Sequence, residues 1–185
     1  DGLEHPWGLA FLPDGRALVT ERAGRLRMLS ASGQLLTEAI AGLPENLLVG
    51  GQGGLMDVAV RPDTSPPEIF LTYACGTRVE NNACLGRALL KEMRLEEFEV
   101  LLSGSPKQEA DSQYGSRIVF LPDGSLLMTI GDGMDFRESA QRMTSHYGKI
   151  VRLSPDGHIP DDNPFHDQPG KLAEIYSFGH RHPPG

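Results

Sequence analysis

Residues 111–130 read DSQYGSRIVFLPDGSLLMTI. The second half is an apolar run, a Pro-Asp-Gly turn and another apolar run. In such a turn Pro presets φ, Asp bonds its own backbone and Gly supplies the φ > 0 position, so the stretch predicts a tight β-hairpin. Both runs are rich in Val, Ile, Leu, Phe and Thr and nearly continuous, the pattern of strands buried on both faces in stacked sheets. The first half is less ordinary, because it sets an amide, Gln113, at the mouth of the hairpin.

The same plan recurs along the chain. Residues 8–29 read GLAFLPDGRALVTERAGRLRML, residues 53–73 read GGLMDVAVRPDTSPPEIFLTY, and GRALLKEMRL follows at 86–95. After the hairpin at 115–130 comes GKIVRLSPDG, at 148–157. Three times the chain gives strand, Pro-Asp turn, strand, a connection, and a strand beginning Gly-Arg or Gly-Lys. The turns start at Pro13, Pro62 and Pro122, a period of about 50–60 residues, the length of a four-stranded propeller blade with extended loops. The fold class is therefore all-β, with about three blades of a β-propeller; a two-sheet sandwich is the competing architecture. Residues 1–185 form one partial propeller domain, with blades at approximately 5–50, 51–105 and 113–160 and the start of a next blade at 172–185. DFRESAQRMTSHYG (135–148) predicts one short helix in a connection, with Gly148 as its stop.

Composition agrees. Gly (22) and Pro (14) make up nearly a fifth of the 185 residues, favouring many short elements joined by tight turns. The formal net charge of −8 repels phosphate backbones and anionic lipid, which argues against nucleic-acid and membrane partners. No run approaches the ~18 apolar residues of a spanning helix. No charged-then-apolar leader opens the chain, so Asp1 reads as the start of a mature or trimmed product. Cys75 and Cys84 flank a polar, Asn-rich stretch that reads as a loop. The favoured reading is a disulfide pinning that loop, which implies an oxidising compartment; the alternative is two unrelated reduced thiols.

Five segments, HPWGLAFLPDG, GQGGLMDVAVRPD, YGSRIVFLPDGSLLMTIGD, YGKIVRLSPDGHIPDDNPF and EIYSFGHRHPPG, occur here in one order. That order resembles the sugar dehydrogenases that use pyrroloquinoline quinone (PQQ), above all the glucose/sorbosone dehydrogenase group and the periplasmic aldose sugar dehydrogenases. The similarity covers almost the whole chain. It implies a six-bladed propeller with the quinone near the central axis, oxidation of an aldose at C1 to the lactone, and onward transfer of electrons to an acceptor. It also implies a periplasmic or secreted location and a cofactor-associated calcium, whose ligands would come from later blades outside this chain. Residue by residue, the resemblance puts Gln52 in the quinone and sugar pocket, and Arg181 and His182 at quinone contacts. A guanidinium binds a carboxylate in a forked, charge-assisted way, and an amide both donates to and accepts from carbonyls and hydroxyls.

Three departures stand out. Relatives of this kind carry His where this chain has Gln113, and that His takes the proton of the C1 hydroxyl. An amide holds a hydroxyl but has no usable basicity. The usual GHRNPQG ending is GHRHPPG here, with His182 and Pro184 replacing Asn and Gln. The chain also stops at Gly185, where a fourth blade is expected to begin, so open blade faces imply either self-association or further blades. Two function classes follow: a quinone-dependent aldose dehydrogenase impaired at its base, or a non-catalytic propeller acting as a binding module.

Other chemistry is weaker. Asp132, Asp135 and Glu138, and separately Asp161 and Asp162, are oxygen ligands suited to calcium, but neither stretch has EF-hand spacing. HRH at 180–182 would set two imidazoles on one side of a strand, a faint zinc pattern. No residue of this chain is assigned as a metal ligand. Ser116 has no evident base partner, which leaves a hydrolase unsupported, and a calcium-dependent lactonase-type propeller lacks identifiable axial acids.

Overall fold

The computed structural model describes residues 2–61 and 63–183. Asp1, Pro62 of the second expected turn, Pro184 and Gly185 lie outside the described residues. Three antiparallel sheets follow one another along the chain. The first holds β1 (Pro6–Phe11), β2 (Ala17–Glu21) and β3 (Arg25–Leu29). The second holds β4 (Leu55–Arg61), β5 (Glu68–Gly76), β6 (Asn81–Lys91) and β7 (Arg94–Ser103). The third holds β8 (Gly115–Phe120), β9 (Leu126–Ile130), β10 (Lys149–Leu153) and β11 (Ile175–Phe178).

The turn chemistry forms as expected. Leu121 N–H donates to Ser125 O and Gly124 N–H to Leu121 O, with Gly124 at φ 85°. The same two bonds recur at 12–16 and at 154–158. Side chains then alternate between two cores. Ile69, Leu71, Tyr73 and Cys75 of β5 face the first sheet, where they meet Leu18, Leu26 and Met28. Phe70 and Ala74 face the third, where they meet Tyr114, Leu126 and Met128. The second sheet is thus buried on both faces, which explains why its strands read as continuous apolar runs. Phe70 packs edge-to-face on Phe120 with ring centroids 5.2 Å apart.

The first strand of every sheet carries a register shift, between Pro6 and Leu9, Leu55 and Val58, and Gly115 and Ile118. A bulge leaves one amide without a ladder partner. In each sheet a threonine of the second strand accepts it: Gly8 N–H to Thr20 Oγ1 at 2.8 Å, Asp57 N–H to Thr72 Oγ1 at 2.9 Å, and Arg117 N–H to Thr129 Oγ1 at 2.9 Å. Each hydroxyl then donates across to the following segment. Thr20 reaches Met56 O, Thr72 reaches Ser116 O at 2.6 Å, and Thr129 reaches Pro183 O at 3.0 Å. Pro183 therefore occupies the place that Met56 and Ser116 hold at the start of the second and third sheets.

The outer edges are joined too. Between the first two sheets the joint is peptide only, with Ala41 N–H donating to Met93 O at 3.0 Å and Leu95 N–H to Ala41 O at 2.8 Å. Between the second and third it runs through a side chain. His146 N–H donates to Ser105 O, Ser105 N–H donates to His146 Nδ1 at 3.0 Å, and His146 Nε2–H donates to Glu174 Oε1 at 2.8 Å. That last bond holds the Glu174 carboxyl below its usual range.

Three expectations are corrected. Residues 175–178 do not open a new blade but pair with β10 as the outer strand of the third sheet; only the segment reaching Pro183 takes up the next blade's starting position. The loop between the cysteines is shorter than expected, only residues 77–80, because β5 runs on to Gly76 and β6 already begins at Asn81. Asn81 and Asn82 are buried there, and Asn82 Oδ1 accepts Ala83 N–H, so polar residues read as a loop satisfy the strand's own backbone. The helix expected over 135–148 shrinks to one 3-10 turn, Arg137–Gln141, since 142–148 is drawn against the sheet by Lys149.

Cys75 and Cys84 are disulfide-bonded across β5 and β6 with Cα atoms 5.8 Å apart. Denatured, unreduced protein should expose no free thiol, and reduction should lower stability by about 2–3 kcal/mol on the chain-entropy account. Thr72→Val, which keeps the side-chain shape, strands a buried amide and a buried carbonyl. It should cost about 1–3 kcal/mol in urea unfolding, whereas a loss below experimental error would deny the hydroxyl its bridging role.

Candidate functional site

The residues singled out by sequence gather at the end of the sheets opposite the Pro-Asp-Gly turns. Gln52 precedes β4, Gln113 precedes β8, and Arg181 and His182 follow β11, whose chain direction returns it to this end. Gln52 and Gln113 touch: Gln113 N–H donates to Gln52 Oε1 at 2.9 Å. Gln52 is itself held by its backbone, its N–H donating to Asp111 O at 2.8 Å. Arg22 Nη1 donates to Gly51 O at 2.8 Å, which ties the same segment to the first sheet.

Gln113 lies at φ 54°, a left-handed conformation that a non-glycine residue adopts only under constraint. The constraint is visible on both sides. Gln52 holds the amide, and Gly131 packs directly beneath the carbonyl, where a Cβ would come within 1.9 Å of Gln113 O. Among the described residues Gln113 Oε1 is buried without a hydrogen-bond partner, and so is His182 Nδ1. Buried polar atoms are normally satisfied, which sets these two apart from most of the polar groups around them.

Arg181 is exposed, and among the described residues its guanidinium makes no hydrogen bond or ion pair. Its main chain is fixed, with Asp132 N–H donating to Arg181 O at 2.8 Å. Residues 179–183 are irregular and not a strand, so the two imidazoles of HRH do not share a strand face; His180 Nε2 bonds Ser177 Oγ at 2.9 Å instead. The acidic clusters are occupied structurally. Asp132 Oδ1 accepts Met134 N–H, and Asp162 pairs with Arg152 at 2.7 Å. No group of three or more His, Cys, Asp or Glu among the described residues is placed to hold a metal ion.

Two clefts flank the 107–111 segment at this end. One of about 270 Å³ is lined by Gly50, Arg78, Glu109 and Asp111, and one of about 390 Å³ by Lys107, Gln108, Asp135 and Phe136. A larger cavity of about 480 Å³ opens at the turn end beside Asp123 and Arg152. Its arginines Arg61 and Arg152 are already paired with Glu68 and Asp123. Sequence reading missed Asp111 and Arg22, which lie in no motif and act through main-chain carbonyls and close packing.

The family profile described as Glucose / Sorbosone dehydrogenase matches residues 3–185. This chain belongs to that family. It is 38% identical over 190 residues to aldose sugar dehydrogenase YliI of Escherichia coli, covering 100% of this chain and 50% of that protein. A crystal structure of glucose dehydrogenase superposes with a TM-score of 0.92 at 38% identity, over 98% of this chain and 54% of the other. The PQQ-bound form of aldose sugar dehydrogenase from Streptomyces coelicolor gives 0.82 at 31% identity, over 98% of this chain and 52% of the other. The fold is the β-propeller of this family, and the chain spans about half the length of the curated relatives it matches.

Gly131→Ala should push the Gln113 carbonyl aside and lower stability by about 1–3 kcal/mol, the range of overpacking. Thermal unfolding checks this, and an unchanged midpoint would mean that the Gln113 segment is not held from below.

Proposed function

We propose that this chain forms one side of the active site of a PQQ-dependent dehydrogenase that oxidises an aldose at C1 to the lactone. The supporting observation is the Gln52–Gln113 hydrogen bond at the end of the sheets where Gln113 Oε1 and His182 Nδ1 find no partner among the described residues. Bound PQQ would supply a two-electron acceptor bearing carboxylates. The Arg181 guanidinium is suited to pair with one of them, and His182 to donate or accept beside it. Gln52 and Gln113 would hold the sugar, with Gln113 Oε1 accepting from the C1 hydroxyl. The clefts beside 107–111 leave room for the rest of the ring.

Calcium belongs to this reading through the family resemblance, with ligands outside this chain, as does an electron acceptor of unspecified chemistry. The disulfide fits a periplasmic or secreted setting. No helix among the described residues is long and apolar enough to cross a membrane. Phe11 (69% exposed) and Val119 (54%) lie on strands whose sheets have no neighbour on one side. Further blades of the same polypeptide, or a second copy of this chain, would cover those faces.

A second reading, a non-catalytic propeller, is favoured by one fact: Gln113 cannot take a proton. The two separate in one experiment, in a polypeptide carrying the remaining blades. PQQ and calcium are added, binding is followed by the quinone spectrum, and single-turnover reduction by aldose is measured across pH. Gln113→His should raise the rate by about 10²-fold or more with little change in quinone affinity. The gain should appear only as pH rises above the imidazole pKa, about 6.5 when unperturbed, since the neutral ring is the base. Quinone binding without reduction in either variant would establish the binding module. Equal finite rates would place the base elsewhere.

A further inference from the structure

Lys149, the first residue of β10, is fully buried, and no carboxylate pairs with it among the described residues. Its ammonium donates to Ser139 O at 3.0 Å, Ala140 O at 2.9 Å and Tyr147 O at 2.7 Å. Three donors meet three carbonyls, which exhausts what an ammonium offers. Burial pushes its pKa down to about 8. A buried charge held by carbonyls alone is an expensive way to close a loop, and a neutral residue would fill the space at less cost.

The bonds made by one of those carbonyls, Ala140 O, and by its loop neighbours give the arrangement its use. Ala140 O also accepts Gly179 N–H at 3.0 Å, Gly148 O accepts His180 N–H at 3.0 Å, and Asp132 N–H binds Arg181 O at 2.8 Å. Every main-chain bond that fixes 179–181 to the third sheet therefore ends on the 131–148 loop, and Lys149 gathers that loop from inside. We propose that Lys149 is a positioning residue whose ammonium shapes the 139–147 backbone into the platform that sets Arg181 in place at the ligand-binding end. The importance of Arg181 rests on the functional reading above; the platform itself does not.

The test begins with amide exchange on this chain and on Lys149→Met. The amides of Asp132, Gly179 and His180 should exchange faster by about tenfold or more, while those of β5 stay protected. PQQ titration, read by Trp7 fluorescence, should show affinity about tenfold weaker in Lys149→Met. Arg181→Gln should then add far less in that background than in the wild type, because both changes disable one arrangement. Should Lys149→Met fail to fold, Lys149→Gln keeps two amide donors and takes its place. Unchanged exchange at 179–180, or fully additive losses of affinity, overturns the proposal. If Arg181→Gln alone leaves PQQ affinity intact, the Arg181 contact is wrong, and the exchange result still decides the role of Lys149.

Discussion

A threonine hydroxyl that accepts inside its own sheet and donates into the next is the contact on which the rest of this structure depends. The bulge in each first strand leaves an amide without a ladder partner. Thr20, Thr72 and Thr129 each resolve that local problem, and the remaining hydroxyl proton resolves a neighbour's. Asp57 strengthens the second joint, its carboxylate accepting Ile118 N–H at 2.9 Å while pairing with Arg117 at 3.3 Å. Apolar burial brings the sheets together without choosing a register; these directional bonds choose it.

The register matters because the end opposite the Pro-Asp-Gly turns is composed of segments that share no sheet. Gln52 is delivered by β4, Gln113 by β8 and Arg181 by the segment after β11, and their spacing is set by how the sheets are locked. Strain is accepted at one of them. The left-handed Gln113 persists because Gln52 and Gly131 restrain it from two directions.

Much of this was legible in the sequence. The Pro-Asp-Gly turns at 12–16 and 121–125, the double-sided burial of β5 and the grouping of Gln52, Gln113 and Arg181 at one end all follow from turn chemistry, continuous apolar runs and an ordered set of motifs. What escaped did so for physical reasons. β11 has only four residues and lies beyond a long irregular segment, so nothing local reveals that it pairs backwards with β10. Asn81 and Asn82 look like loop residues because their composition is polar, although the fold buries them. Lys149 shows in the sequence only as the second residue of a strand beginning Gly-Lys, since no local pattern announces three carbonyls converging on it. The threonines, ordinary in strands, show their shared task only when the three bulges are aligned in space.

The two outer joints differ in kind, and the difference gives the molecule a grain. Where Ala41 meets Met93 and Leu95, the seam is made of peptide groups that do not titrate. Where Ser105 meets His146, it depends on one side chain, whose ring accepts from Ser105 and donates to Glu174. Truncating His146 thus strikes one seam at the rim and leaves the other as it was. The first two sheets would stay bound as one leaf while the third loosens from its outer edge inward, with the threonine bond near the axis serving as the spine on which it opens.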